Sequence, residues 1–383
     1  MLILAALLAS AAAPAAAGES RPIIVTGQSL KSTGDALDSC LRRGCPPDED
    51  IRASLAHAEN LFVAGDYDDA RRVLKKSIGR NGDEDQTLPI PVSNLYRANS
   101  RVAAHLGEAE DYQRSTYRTW SILKEANGVP AWLTLSARMD VANMVTTTQG
   151  ALAGKRAFRQ LEEEAARLGR SDIAALARLR AIWIDYLHDP NHSVEGRLRE
   201  MLAEAGADDR IARMGALILL ARIERNKGMA PGEATDALIA ELARTPSQRP
   251  ALLFSPPLPR LRGDKWNANL AGVPVYSATS QLPTDNFEDR WVDVGFWVQP
   301  DGRVSDAEIL RQSGSTSWAD PILQSVGGRI YAPSASGEGR YRVERVTYTS
   351  NWRKRIDTRL RVRSQDPSIQ ILDLTADQGP AGS

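Results

Sequence analysis

The chain has 383 residues with 48 basic and 48 acidic side chains, a formal net charge of zero. That length is enough for two domains, and the charge balance gives no support to a nucleic-acid partner, which needs a basic face. With 42% hydrophobic and 25% charged residues, the composition is that of an ordinary soluble protein.

Residues 1–17 open the chain with an apolar, alanine-rich run, and Ala15-Ala16-Ala17 offers small residues for cleavage before Gly18. This reads as a secretory signal peptide, although no lysine or arginine precedes the apolar run. A membrane anchor is the competing reading. Against it, the run is shorter than the roughly 20 residues a span needs, and Pro14 interrupts it.

Residues 18–49 form a leader. Cys40 and Cys45, the only cysteines, flank Arg42-Arg43-Gly44. In an exported chain an oxidising compartment favours a small disulfide loop, which Gly44 helps to close. Two ligands are too few for structural zinc, and redox chemistry favours the tighter Cys-x-x-Cys spacing. A structural disulfide is expected, with free thiols as the alternative.

Residues 50–245 read as almost continuous helix. In the clearest unit, Leu55, Ala58, Leu61 and Phe62 make one apolar stripe. Gly65-Asp66-Tyr67 turns the chain, and Ala70, Val73, Leu74 and Ile78 make a second stripe. Ala58, Gly65, Tyr67 and Ala70 resemble a tetratricopeptide repeat. Later breaks near Gly107, Gly150, His188-Asp189-Pro190 and Gly228 recur about every 40 residues, the range of helical-hairpin repeats. The expectation is a solenoid of about five hairpins, with a peptide- or protein-binding groove or a purely architectural role. Tyr96, Arg97, Tyr112, Tyr117, Trp120 and Trp132 are suited to line a groove and are also spaced like core.

Of the histidines at 57, 105, 188 and 192, the first two sit among apolar helical neighbours as packing positions. His188-Asp189-Pro190-Asn191-His192 reads as a helix connection rather than a metal loop. The sequence has no nucleophile elbow, Walker loop, dinucleotide fingerprint or His-Glu-x-x-His. Neither enzyme activity nor a cofactor is expected.

Five prolines, at 246, 250, 256, 257 and 259, mark a linker over residues 246–263. The second domain is expected over 264–352. Val292, Val294, Phe296 and Val298 alternate as in a half-buried strand, and Pro300-Asp301-Gly302 makes a tight turn. Val304, Ala307, Ile309 and Leu310 extend a second strand. Ser317 is a candidate cap for a helix carrying Trp318, Ile322, Leu323 and Val326, ended by Gly327-Gly328. Ile330-Tyr331 then starts a strand stopped by Pro333. After Gly337-Glu338-Gly339, residues 341–350 form a last strand. The tail, 353–383, is charged, with one short strand at Ile369 to Leu374.

The ordered series Val292 to Val298, Asp301-Gly302-Arg303-Val304, Ser313-Gly314, Trp318 to Val326 and Tyr331 to Pro333 resembles the C-terminal domain of TonB-type energy transducers. The resemblance covers about the last quarter of the chain. It implies an antiparallel sheet with one helix, in a periplasmic protein. Ile23-Ile24-Val25-Thr26-Gly27 is similar to a segment near the mature start of TonB-dependent receptors. The sequence departs from the transducers in its short linker and in having no histidine in its N-terminal apolar run. The whole is expected to be α+β, an all-α tetratricopeptide-like solenoid followed by a TonB-like domain.

The resemblance implies a protein–protein adaptor in TonB-dependent transport across the outer membrane, binding by strand addition. Its edge would be Arg342, Val343, Glu344, Arg345, Val346, Thr347 and Tyr348, and its partner an outer-membrane receptor segment or another envelope protein. An edge paired with its own chain or with a second copy, as a homodimer, is the alternative. The runner-up function is a helical-repeat scaffold of the cell envelope whose TonB-like domain is structural or dimerising. Membrane contact follows only if the N-terminal segment stays uncleaved, at the inner membrane.

Overall fold

A computed structural model describes residues 29–189, 194–206, 209–244, 249–256, 290–314, 319–334, 336–354 and 361–375. The expected signal peptide, the Ile23–Gly27 segment, Ser317, Trp318, His192 and most of the linker lie outside them. Among the described residues, no helix is long and apolar enough to cross a membrane.

The protein is mostly helical, with a small antiparallel sheet region at its C-terminal end. The helices are α1 (Leu30–Arg43), α2 (Pro47–Ala64), α3 (Tyr67–Asn81), α4 (Pro89–His105), α5 (Ala109–Glu125) and α6 (Ala131–Gln149), then α7 (Ala151–Arg167), α8 (Ser171–His188), α9 (Glu195–Glu204), α10 (Arg210–Asn226) and α11 (Glu233–Arg244). Local chemistry sets their ends. The Ser29 hydroxyl caps α1 by accepting from the Ser32 N–H, and Gly44 ends it with a left-handed φ of 63°. There the Cys40–Cys45 disulfide closes, as the sequence led us to expect, with the two Cα atoms 5.2 Å apart. α2 begins at Pro47 and carries Asp48, Glu49 and Asp50 in its first turn, where acids favour the helix dipole. The breaks expected at Gly65, Gly107, Gly150, His188 and Gly228 all fall at or next to helix ends, and consecutive helices pack on one another.

The strands are β1 (Leu252–Phe254), β2 (Trp291–Val298), β3 (Val304–Gln312), β4 (Ile330–Tyr331), β5 (Arg340–Lys354) and β6 (Arg361–Asp373), with helix α12 (Asp320–Gly327) between β3 and β4. β3, β2, β5 and β6 form one antiparallel sheet in that order, and β1 pairs with β4 in a second. Val292, Val294, Phe296 and Val298 bury one face of β2 against Ile322 and Val326 of α12. Gly302, at φ 84°, makes the expected turn into β3.

Three expectations are corrected here. Arg342 to Tyr348 is not a sheet edge: β5 lies inside the sheet, paired with β2 on one side and β6 on the other. The second partner is β6, of which the expected short strand at Ile369 to Leu374 covers only the C-terminal part. Its Arg361-Val362-Arg363 start and its Pro367 suggest a charged tail, yet proline is tolerated on an edge strand such as this. The expected linker is not wholly a spacer, since Leu252–Phe254 forms β1 and packs into the fold.

The sheet region bridges the two ends of the helical stack. At one end, Trp291 joins the core of α2–α5. Its indole packs so closely on Gly65 that a Cβ there would overlap the ring. At the other end, Leu253 and Ala332 pack with Leu217, Ile218, Leu238 and Leu242 of α10 and α11. Arg222 Nε of α10 donates to the Leu252 carbonyl at 2.8 Å.

Arg345 fastens the first of these contacts. It has 0% side-chain exposure and donates from Nε and Nη2 to the Asp293 carboxylate at 2.6 and 2.9 Å. Its Nη1 and Nη2 also donate to the Phe62 and Val63 carbonyls, each at 2.8 Å. These are last-turn carbonyls of α2, which have no partner within the helix and carry its negative dipole end. Beside it, Thr347 Oγ1 lies 3.0 Å from the Tyr67 hydroxyl and 2.9 Å from His105 Nδ1.

Burial, reinforced by Arg345 and Arg101, pushes His105 down to about 3. The unfolded chain therefore binds one proton more than the folded chain between about pH 6.5 and pH 3, so stability is full above that window and falls on acidification. The expected slope from this residue approaches about 1.4 kcal/mol per pH unit. Urea titrations of wild type and His105→Gln between pH 7 and pH 4 check it. The variant should lose part of the wild-type pH slope; parallel slopes would mean His105 does not titrate differently on folding.

Candidate functional site

The expected site residues on β5 are structural. Val346 and Tyr348 lie in the sheet core, and Arg345 and Thr347 face the helices. Glu344 accepts from the buried Arg329 at 2.7 Å. Arg342 pairs with Asp373 of β6 at 2.8 Å, and Val343 accepts from the Leu374 N–H at 2.8 Å. The cysteines sit with Glu49 in a group of possible metal ligands, but their sulfurs are bonded to each other and offer no thiolate. His57 Nδ1 lies 3.1 Å from Thr33 Oγ1, in agreement with a packing role.

Among the described residues, one feature not explained by packing is a cavity of about 360 Å³ between α4, α5, α6, α7 and α8, bordered by Gln370 of β6. This is within the range of about 300–1,000 Å³ typical of small-ligand sites. Its walls differ chemically. α4 contributes Arg97, Ser100 and Arg101, while α7 and α8 contribute Phe158, Trp183, Ile184 and Leu187. Asp140 of α6 and Arg180 of α8 complete the charged lining.

Arg97 Nε lies 3.2 Å from Asp140 Oδ2. Its Nε lacks hydrogen-bond alignment, and its buried Nη2 has no hydrogen-bond partner among the described residues. A buried donor left this way costs free energy and calls for an acceptor. Burial raises the Asp140 carboxyl above the usual carboxylate range, against the pull of Arg97 and Arg101. Its side chain nonetheless keeps 46% exposure, because it opens onto the cavity.

The field around the apolar wall is positive, from Arg180 in the lining and Arg222 beside Trp183. Arg180 is 7% exposed and burial lowers it to about 10. Arg222 is 4% exposed and stands 5.6 Å over the Trp183 ring. Burial, and then Arg180 beside it, lower it to about 9. Both remain cations at neutral pH, so like charges share this interior.

No family model matches the sequence, and no curated protein matches it either. The site therefore has to be read from its own chemistry.

Of the six residues named as suited to a groove, only Arg97 and Tyr112 line this cavity. Trp120 lies instead beneath Lys124 and Arg138, and Tyr117 and Trp132 are each 39% exposed. Sequence reasoning missed Arg101, Asp140, Arg180 and Trp183. A signal was present: Arg180 and Arg222 each interrupt an apolar helical stretch, Leu179-Arg180-Ala181-Ile182 and Leu220-Ala221-Arg222-Ile223.

Proposed function

We propose that the protein is a non-enzymatic binding protein of the cell envelope. In this reading the helices are tetratricopeptide-like hairpin repeats, the TonB-like domain is their structural brace, and the client enters the cavity in the stack. The observation that carries it is the pairing of β5 on both sides, which leaves 342–348 unable to accept another strand, beside a cavity with an unsatisfied guanidinium. Arginines outnumber the one carboxylate in the lining, and they hold anions without exchanging protons near neutral pH, which suits binding better than acid–base catalysis. The disulfide supports an oxidising compartment such as the periplasm.

A second reading is the strand-adding adaptor of TonB-dependent transport, with its edge moved to β3. Among the described residues β3 pairs in the sheet only with β2, and it exposes Leu310 at 43%. A photo-crosslinking side chain placed in the full chain at Leu187, or at Leu310, separates the two in the protein's own cells. The cavity reading predicts an adduct from position 187 and none from 310. An adduct only from 310 would overturn it in favour of the adaptor.

A further inference from the structure

The two walls of the cavity specify more than its location. The α4 wall presents Arg97 and Arg101, and the α7–α8 wall presents Phe158, Trp183 and Leu187. In the lining as a whole, Arg97, Arg101 and Arg180 stand against the single carboxylate of Asp140. Arg222 adds to the same field from behind Trp183. A neutral apolar ligand would leave this field and the Arg97 Nη2 donor unanswered. A cation would be repelled by it. A molecule with an anionic head and an apolar body answers both walls at once.

We propose that the cavity binds a small carboxylate carried on an apolar body, such as a medium-chain fatty acid. Its carboxylate accepts from Arg97 and Arg101, and its apolar body lies against Phe158, Trp183 and Leu187. The planar guanidinium fork matches a carboxylate with two parallel hydrogen bonds, and such charge-assisted bonds are the stronger kind. Arg97 has the spare donor to form them. Asp140 is then the resident competitor for Arg97 that an incoming carboxylate displaces. This inference rests on the cavity being the functional site and adds the class of ligand.

The test is calorimetric titration of the full chain with octanoate, 1-octanol, octylamine and octyl phosphate at pH 7.5. Expected is saturable 1:1 binding of octanoate, with 1-octanol and octylamine at least about tenfold weaker. Arg97→Gln and Arg101→Gln should each weaken octanoate about tenfold. Asp140→Asn should tighten it several-fold by removing the competing carboxylate, a gain that misfolding could not produce. Equal binding of octanoate and 1-octanol would overturn the proposal, as would no effect in either arginine variant or tighter binding of octyl phosphate. If octanoate fails while the crosslinker at position 187 still captures an adduct, the ligand class is wrong and the cavity stands. If both fail, the cavity reading goes with it.

Discussion

Replacing Arg345 with methionine is expected to destabilise the protein by about 3–5 kcal/mol, because a buried carboxylate loses its partner while apolar volume is largely kept. Asp293 is 1% exposed and would be left in the interior facing only Arg311. In the same step the Phe62 carbonyl would be left with only the Gly65 N–H, and the Val63 carbonyl with only the longer 3.3 Å bond from Arg311. The Trp291 ring would also lose the guanidinium stacked 3.9 Å from its centre. Arg311 provides an internal control. It reaches the same carboxylate at 2.7 Å, but its side chain is 50% exposed. An exposed partner is worth little, so Arg311→Ala should cost about 1 kcal/mol or less. Urea unfolding followed by tryptophan fluorescence measures both. Equal small losses would show that Arg345 is not the buried fastener.

Gly107→Ala should be nearly as damaging, at about 2–5 kcal/mol, from a left-handed backbone and steric overlap together. Gly107 has φ 68° at the break between α4 and α5. A Cβ there would sit on the Ser350 carbonyl oxygen of β5, which is backbone and cannot swing aside. The same turn accepts the Trp352 N–H on the Gly107 carbonyl at 2.9 Å, so a shift to relieve the overlap pulls on the sheet. Gly228→Ala isolates the backbone contribution, because Gly228 has φ 71° and an added Cβ would meet nothing within 4 Å. It should cost about 1–2 kcal/mol. Thermal melts of the two variants compare the effects directly, and similar losses would argue against a close approach of β5 to this turn.

Much of the local structure is legible in the sequence because it depends on neighbours in the chain. Left-handed glycines mark helix ends, and alternation from Val292 to Val298 marks β2. The glycine of the 300–302 turn and the close cysteine spacing are equally local signals. Contacts that join distant stretches leave no such mark. Asp293 and Arg345 meet across 52 positions, and Tyr67 meets Thr347 across 280. β1 hides between Pro250 and Pro256, where proline density suggests a spacer, and the start of β6 hides in a charged stretch that includes Pro367. The strand expected at Ile369 to Leu374 gives no sign that it pairs with β5, so the edge implied by the TonB resemblance falls on a strand that β6 covers. The cavity is still less legible, since its lining comes from five helices and one strand that no period connects.

The sheet region as a brace built into the helical stack, rather than a separate docking module, is best tested by differential scanning calorimetry of the full chain. Shared cores at both ends of the stack, with Arg345 fastening one of them, predict a single transition whose calorimetric and van't Hoff enthalpies agree, and which Arg345→Met lowers as a whole. Two resolved transitions, with Arg345→Met moving only one of them, would contradict it.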